Sequence, residues 1–481
     1  MLNKITHYGI ATFYNALLGT FSIFILTKFY NFSDFGKIAL FILIGNVAGN
    51  ILTFGLGKAT QRFYFESLKE NTLSSFKILN FSNFILIIFT FVISFPLFII
   101  LNEKFNLFFN IEEKFSFLTF AYIYGFFNII YFYFLNLIIS QKKSKLYLFI
   151  AIFYATSNFL LTVFLIFYFS ENYLSRLYSL LIVNVIFCCL TIFFNKDLLS
   201  PKISFFEIKK SFNFSLPGFP STIVGILHSN FDKSFLASIK SLSSLGILDI
   251  SNRIGLMSKM FIDFIIQAWI PEFMTNANKG DKYKIVENYK QIIFFFGIFI
   301  FLLSLFSKEI LWILTSEEFY VAKNYIPLIC LGVFINHLFT LVASPSITYA
   351  KKLQKNFFPS LVALISSIIL NIILVPVFGV LGVIISMIVS GFFSGYLLFY
   401  SSQKSFNLDI SNYYIIKNII TLTFFISLIY ILNYVQISYI YEFIIKILLI
   451  IIFIKHTLDK DLNLNEFKTK FKNYLFAVLF K

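Results

Sequence analysis

FPSLVALISSIILNIILVPVFGVLGVIISMIVSGFFSGYLLFY, residues 358–400, carries no charged side chain, and its one strong interruption is the turn-forming passage Pro376-Val377-Phe378-Gly379. Proline and glycine there divide the run into two apolar segments, 358–378 and 380–400. Each has about the 20 residues that an α-helix needs to cross hydrocarbon. Two such segments joined by so short a turn predict a pair of antiparallel membrane spans.

The rest of the chain reads the same way. Of its 481 residues 58% are hydrophobic and 13% charged, and 70 are phenylalanine. A soluble protein has about a quarter of its residues charged, so this composition leaves too little polar side chain to coat a globule. Lipid must be the main solvent. Apolar runs of spanning length fall at 7–29, 38–57, 78–101, 115–139, 147–169, 174–194, 214–238, 244–270, 290–314, 325–349, 358–378, 380–400, 414–434 and 438–455. The expected fold is therefore an all-α polytopic membrane protein of about 14 transmembrane helices. The amino terminus leads straight into the first run with no small-residue cleavage site, which predicts a retained span rather than a removable signal.

Lysine and arginine orient the spans, because cytoplasmic loops carry the cationic excess. Alternate connections hold Lys58, Arg62, Lys69 and Lys77; Lys142, Lys143 and Lys145; Lys196, Lys202, Lys209 and Lys210; Lys279, Lys282, Lys284 and Lys290; and Lys351, Lys352 and Lys355. Intervening connections are poor in cations. Both termini are expected in the cytoplasm; the abundance of Phe, Ile, Lys, Asn and Tyr suggests an AT-rich bacterial genome, and so a bacterial inner membrane. The net charge of +16 is then topology and contact with anionic lipid, not nucleic-acid binding. The last residues space Leu464, Phe467, Phe471 and Leu475 helically with lysines between, which predicts an amphipathic cytoplasmic tail over 459–481.

Shifting the chain by 210 residues lays Ser33-Asp34-Phe35-Gly36 over Ser243-Ser244-Leu245-Gly246, Phe63 over Phe273, Lys142 over Lys352 and Lys145 over Lys355. The offset equals six spans, an even number that keeps orientation, as in transporters with parallel repeats. The predicted organisation is an N-terminal six-helix lobe over 1–200, a second over 201–405, two additional spans over 406–458, and the tail. Gly45-x-x-x-Gly49 and Gly391-x-x-x-Gly395 mark helix faces where backbones can approach closely.

Charge inside a span is costly unless it is paired or faces a cavity, so it points to function. It concentrates in the seventh and eighth spans: His228, Asp232, Lys233, Lys240, Asp249, Arg253, Lys259 and Asp263. His228 and Asp232, Asp249 and Arg253, and Lys259 and Asp263 each stand four residues apart, on one helical face and able to pair. Asp232, Asp249 and His228 are candidates to bind a proton or sodium ion and couple its gradient to transport. A kink is expected at Pro217-Gly218-Phe219-Pro220.

Three passages resemble a known family. They are Phe35-Gly36-Lys37-Ile38-Ala39 running to Gly57-Lys58-Ala59-Thr60-Gln61-Arg62-Phe63; Phe214-Ser215-Leu216-Pro217-Gly218-Phe219-Pro220 running to Asp232-Lys233; and Leu370-Asn371 running through Pro376 to Gly379-Val380-Leu381-Gly382. In these the chain resembles the polysaccharide (O-antigen) flippases of the multidrug, oligosaccharidyl-lipid and polysaccharide exporter superfamily over residues 1 to 400. It departs in having lysine at 233 where arginine is common, and in Gly246-Ile247-Leu248-Asp249, which lacks the tyrosine that often follows that glycine.

The resemblance implies translocation of an undecaprenyl-diphosphate-linked oligosaccharide, an O-antigen or capsule repeat unit, between membrane leaflets. A diphosphate needs fixed cations, for which Arg253, Lys233 and Lys240 are candidates; Lys28, Lys58 and Arg62 of the first half can either supply facing charges or, being close to span ends, snorkel to the interface. The partners implied are the lipid-linked oligosaccharide, membrane lipids, H+ or Na+, a glycan polymerase and glycosyltransferases, and the chain is expected to act as a monomer. A drug or cation antiporter of the same architecture and a flippase for lipid-linked peptidoglycan precursor stand as alternatives.

An enzyme fits less well. Gly57-Lys58-Ala59 lacks the first glycine and the hydroxyl of a phosphate-binding loop. Asp459-Lys460-Asp461 has no nucleotide-binding domain around it, and short outward loops count against a glycan polymerase or ligase. Cys188, Cys189 and Cys330 lie in apolar runs without C-x-x-C pairing and are read as small core hydrophobes. No cofactor or metal is expected.

Overall fold

The computed structural model describes residues 2–108, 116–169, 172–216, 219–350, 352–434 and 438–457. The tail, with its expected amphipathic helix and Asp459-Lys460-Asp461, and the Pro217-Gly218 kink lie outside them. The α-helices are α1 (Leu2–Leu26), α2 (Phe32–Leu52), α3 (Leu56–Glu70), α4 (Leu73–Phe108), α5 (Phe117–Ser140), α6 (Ser144–Phe169), α7 (Leu174–Phe194), α8 (Phe205–Ser215), α9 (Phe219–Ile239), α10 (Leu242–Gly255), α11 (Met257–Lys279), α12 (Lys282–Leu305), α13 (Ser307–Leu314), α14 (Ile326–Tyr349), α15 (Phe357–Phe378), α16 (Val380–Gln403), α17 (Asn412–Tyr434) and α18 (Tyr439–Thr457). No strand occurs among the described residues.

Fourteen of these helices run 19 residues or longer and follow the order of the predicted spans. Among the described residues, ten are long and apolar enough to cross a membrane. The others are α1 and three helices whose interiors carry charge: α9 with Asp232 and Lys233, α11 with Lys259 and Asp263, and α18 with Glu442 and Lys446. The chain is an all-α, multi-pass membrane protein.

Two boundaries differ from expectation for identifiable reasons. The second span, expected at 38–57, ends at Leu52, and the chain turns through Phe54 and Gly55 at φ +44° and +75°. It resumes as α3, which buries Leu56, Ala59 and Phe63 and exposes Lys58 and Arg62. Glycine supplies the left-handed residue that turns this amphipathic helix out of the line of α2. The eighth span, expected as one helix over 244–270, is two helices parted at Leu256. Gly255, a poor helix former, packs against α14 so closely that a Cβ would lie 2.6 Å from Ile329 Cγ2.

The hairpin at 358–400 also has a physical basis. Gly379 adopts φ +57°, ψ −124°, a region closed to other residues, and there α15 ends and α16 begins. A Cβ on Gly382 would lie 2.5 Å from the Leu374 carbonyl oxygen, so α15 and α16 touch backbone to backbone. Gly45 and Gly49 of α2 make the same kind of contact with Gly125 of α5, whereas Gly395 of α16 meets the ring of Phe339 on α14. Small residues let dispersion contacts hold helices together where lipid removes the hydrophobic driving force.

The chain forms two compact units, Met1–Gly246 and Ile247–Lys481. In the first, α3 packs on α4, α4 on α5, and both α5 and α6 on α7. In the second, α11 packs on α12, α12 on α14, and both α14 and α15 on α16. The same succession of partners thus occurs in each unit. Within the first unit, the starts of α2 and α10 meet reciprocally: Gly36 lies against the Leu242 carbonyl and Gly246 against the Phe32 carbonyl, too close for a side chain at either glycine. Phe32 and Leu242, like Gly36 and Gly246, stand at the 210-residue offset.

The first unit is also tied by buried polar groups. The Asn83 amide donates to Thr60 Oγ1 at 3.2 Å and Ser211 Oγ at 3.0 Å. Tyr133 donates to Asn80 Oδ1 at 2.8 Å, and Asn80 donates to the Leu198 carbonyl at 2.9 Å. These bonds join α3, α4, α5 and α8 at one point; interhelical hydrogen bonds in membrane proteins contribute about 0.6 kcal/mol each.

Candidate functional site

In the second unit, α10 presents Asp249 and Arg253 on one face, as their four-residue spacing predicts. Arg253 Nε donates to Asp249 Oδ2 at 2.7 Å, with 30% of the arginine side chain and 13% of the aspartate exposed. A carboxylate on the Nε edge offsets the cost of placing a guanidinium among apolar helices and fixes its plane. Among the described residues Nε is the only guanidinium nitrogen engaged, so the two terminal nitrogens keep donors free for a second anion. Around the pair, Ser251 and Ser258 satisfy their hydroxyls on the Ile247 and Gly255 carbonyls, and Asn252 is buried. The arrangement can hold one oxyanion by two parallel hydrogen bonds.

Lys259 and Asp263, expected to pair on α11, are both exposed and form no ion pair with each other among the described residues. Solvation serves each better than holding two long side chains together. Both act electrostatically on His337 of α14, a buried histidine whose Nδ1 lies 2.8 Å from the Val333 carbonyl. Sequence reading passed over His337. A single histidine inside an otherwise uncharged span was the signal.

In the first unit, Asp232 of α9 is buried and its charge reaches His228 one turn away. Lys233 beside it is half-buried, and Lys240 is exposed just beyond the end of α9. Lys28 is exposed, with its ammonium 4.3 Å from the centre of the Phe24 ring. Arg62 stands on the exposed face of α3, 3.9 Å from Glu66 and 4.6 Å over the Phe214 ring. Both contacts are of the kind that long cations make at a membrane surface.

A further arginine escaped notice at the start of the sixth span. Arg176 of α7 donates to Asn158 Oδ1 and Thr162 Oγ1, each at 2.7 Å. Its neighbour Ser175 bonds the Tyr30 hydroxyl at 2.6 Å. Among the described residues no three His, Cys, Asp or Glu side chains gather as metal ligands. Cys188 and Cys330 are buried, whereas Cys189 faces outward from α7.

The chain has structural relatives among membrane transporters. It is similar in structure to the lipid II flippase MurJ in an inward closed conformation, with a TM-score of 0.70 at 17% identity over 93% of this chain and 97% of that one. It is also similar to an inward-facing multidrug resistance MATE family transporter of the MOP superfamily, with a TM-score of 0.65 at 14% identity over 83% of this chain and 97% of that one. A MOP superfamily transporter from Pyrococcus furiosus matches with a TM-score of 0.52 at 14% identity, covering 85% of this chain and 95% of that one. At such identities the likeness is one of fold. Comparison with curated protein sequences gives no match. Residues 1–277, more than half of the chain, match the family described as Polysaccharide biosynthesis protein. The chain therefore belongs to the polysaccharide biosynthesis protein family and has the fold of the MOP superfamily transporters.

Proposed function

We propose that this protein is a flippase that carries an undecaprenyl-diphosphate-linked oligosaccharide, an O-antigen or capsule repeat unit, across the bacterial inner membrane by alternating access. The observation that carries the reading is the union of a polysaccharide biosynthesis family with a transporter fold. Such a combination calls for movement of a glycan and not for bond chemistry.

Arg253 is the residue we assign to the diphosphate. Asp249 holds its Nε edge and leaves the terminal nitrogens to grip two phosphate oxygens, which a diffuse lysine charge does less specifically. Lys233 and Lys240 add positive potential, and Lys28 and Arg62 attract the anionic headgroup at the surface. Asp232, His228 and Asp249 are the candidates for coupling to H+ or Na+. In this reading two six-helix lobes, 1–200 and 201–405, rock against each other, both termini lie in the cytoplasm, and a glycan polymerase and glycosyltransferases act before and after transport.

A strain lacking the gene tests this. The flippase reading expects surface glycan to vanish while lipid-linked repeat units accumulate facing the cytoplasm. Normal surface glycan, with repeat units still reaching the outer leaflet, would refute it.

A further inference from the structure

We propose that α13 and the 3-10 segment after it form a second binding site, separate from Arg253, for the phosphate headgroup of an anionic glycerophospholipid such as phosphatidylglycerol. A cavity of about 490 Å³ lies here, lined by Lys308, Glu309, Leu311, Trp312, Tyr320 and Lys323. Its size is that of ordinary small-ligand pockets. All of these residues belong to the second compact unit.

The position argues for a lipid. The segment Ser307–Asn324 joins the end of α12 at Leu305 to the start of α14 at Ile326, two helices long and apolar enough to cross a membrane. The cavity therefore sits at the level where a span ends and headgroups begin. Trp312 and Ile313, exposed side by side on α13, form the apolar edge by which an interfacial helix rests on acyl chains.

The charge argues for an anion. Lys446 of α18, 2% exposed, is bonded to Glu309 and lies 2.9 Å from Glu442, and Lys308 lies 2.9 Å from that same Glu442. These two cations and two carboxylates cancel. Lys323 is left over, with no ion pair among the described residues, and it lines the cavity together with Lys308, Tyr320 and Glu309, whose carboxylate is paired with Lys446. Glu317 and Glu318 are exposed and do not line it. The Lys323 ammonium and the Tyr320 phenol can both donate to one phosphate, while Trp312 and Leu311 cover the glyceryl portion. Phosphatidylcholine offers the same phosphate, but its choline cation meets Lys323 with repulsion.

The test uses the full chain in nanodiscs of phosphatidylcholine with and without phosphatidylglycerol, read by thermal unfolding and by lipid retained in native mass spectrometry. Phosphatidylglycerol is expected to raise the midpoint and to remain bound in preference to phosphatidylcholine, an effect that weakens as salt is raised. Lys323→Ala combined with Trp312→Ala is expected to weaken phosphatidylglycerol binding roughly five- to tenfold, with an unchanged midpoint in pure phosphatidylcholine. Lys323→Arg is expected to retain binding. Equal retention of both lipids, or equal phosphatidylglycerol binding by the double variant, would overturn the proposal. So would protection by free glycerol 1-phosphate as strong as by the lipid, which would assign the cavity to a soluble phosphate ester.

Discussion

Arg253 with Asp249 and Lys446 with its two glutamates both set a cation among apolar helices, yet they are built in opposite ways. Lys446 is 2% exposed and bonded to Glu309 and Glu442, with Lys308 closing the set from α13. Every charge there has a partner, and the cluster pins α18 to α13. Arg253 has one carboxylate on one edge, and almost a third of its side chain is exposed. The first arrangement uses up its charge in holding helices together. The second keeps hydrogen-bonding capacity in reserve, which a binding site needs and a structural pin does not.

Removing the cation should therefore act differently at the two places. Lys446→Ala strands Glu309 and leaves Glu442 with Lys308 alone, and breaking a buried pair costs about 3–5 kcal/mol. The expected result is a large drop in the unfolding midpoint and in the amount of protein in the membrane. A midpoint within a degree of wild type would show that the cluster does not pin α18. Arg253→Lys keeps the charge but loses the two-pronged grip and the fixed plane. Transport is expected to fall about tenfold, the equivalent of about 1.4 kcal/mol, with protein level unchanged. Full transport would reduce Arg253 to a point charge. The smallest effect belongs to Lys259→Ala with Asp263→Ala, whose exposed side chains make no pair: stability should move by less than about 0.5 kcal/mol and transport by less than twofold. A larger loss of transport, with stability kept, would draw His337 and its two charged neighbours into the site.

What could be read in the sequence follows from the range of the forces involved. The apolar runs are local, and so the long helices emerged in order. Asp249 and Arg253 stand one turn apart on a single helix, and their pairing was readable for the same reason. The Lys446 cluster was not: Glu442 and Lys446 have the same telltale spacing, but their partners Glu309 and Lys308 lie more than 130 residues earlier. The break at Leu256 depends on Gly255 lying against Ile329 of α14, which no local pattern reveals. The turn after α2 was half legible, since Gly55 supplies the left-handed residue but the apolar run continues past it. The double glycine at 379 and 382 proved the most informative short signal, because one residue serves the turn and the other serves close approach.

The most direct test of a site at Arg253 is a flipping assay. Purified protein is reconstituted into liposomes carrying a lipid-diphosphate-linked oligosaccharide, and movement is followed by the fraction of glycan reached by an added glycosidase. Wild type should move the lipid; Arg253→Ala should reduce the rate at least tenfold, and adding Asp249→Asn to remove the stranded carboxylate should not restore it. Equal rates for wild type and Arg253→Ala would contradict the assignment of Arg253 to the diphosphate, and absence of movement by wild-type protein would contradict the flippase itself.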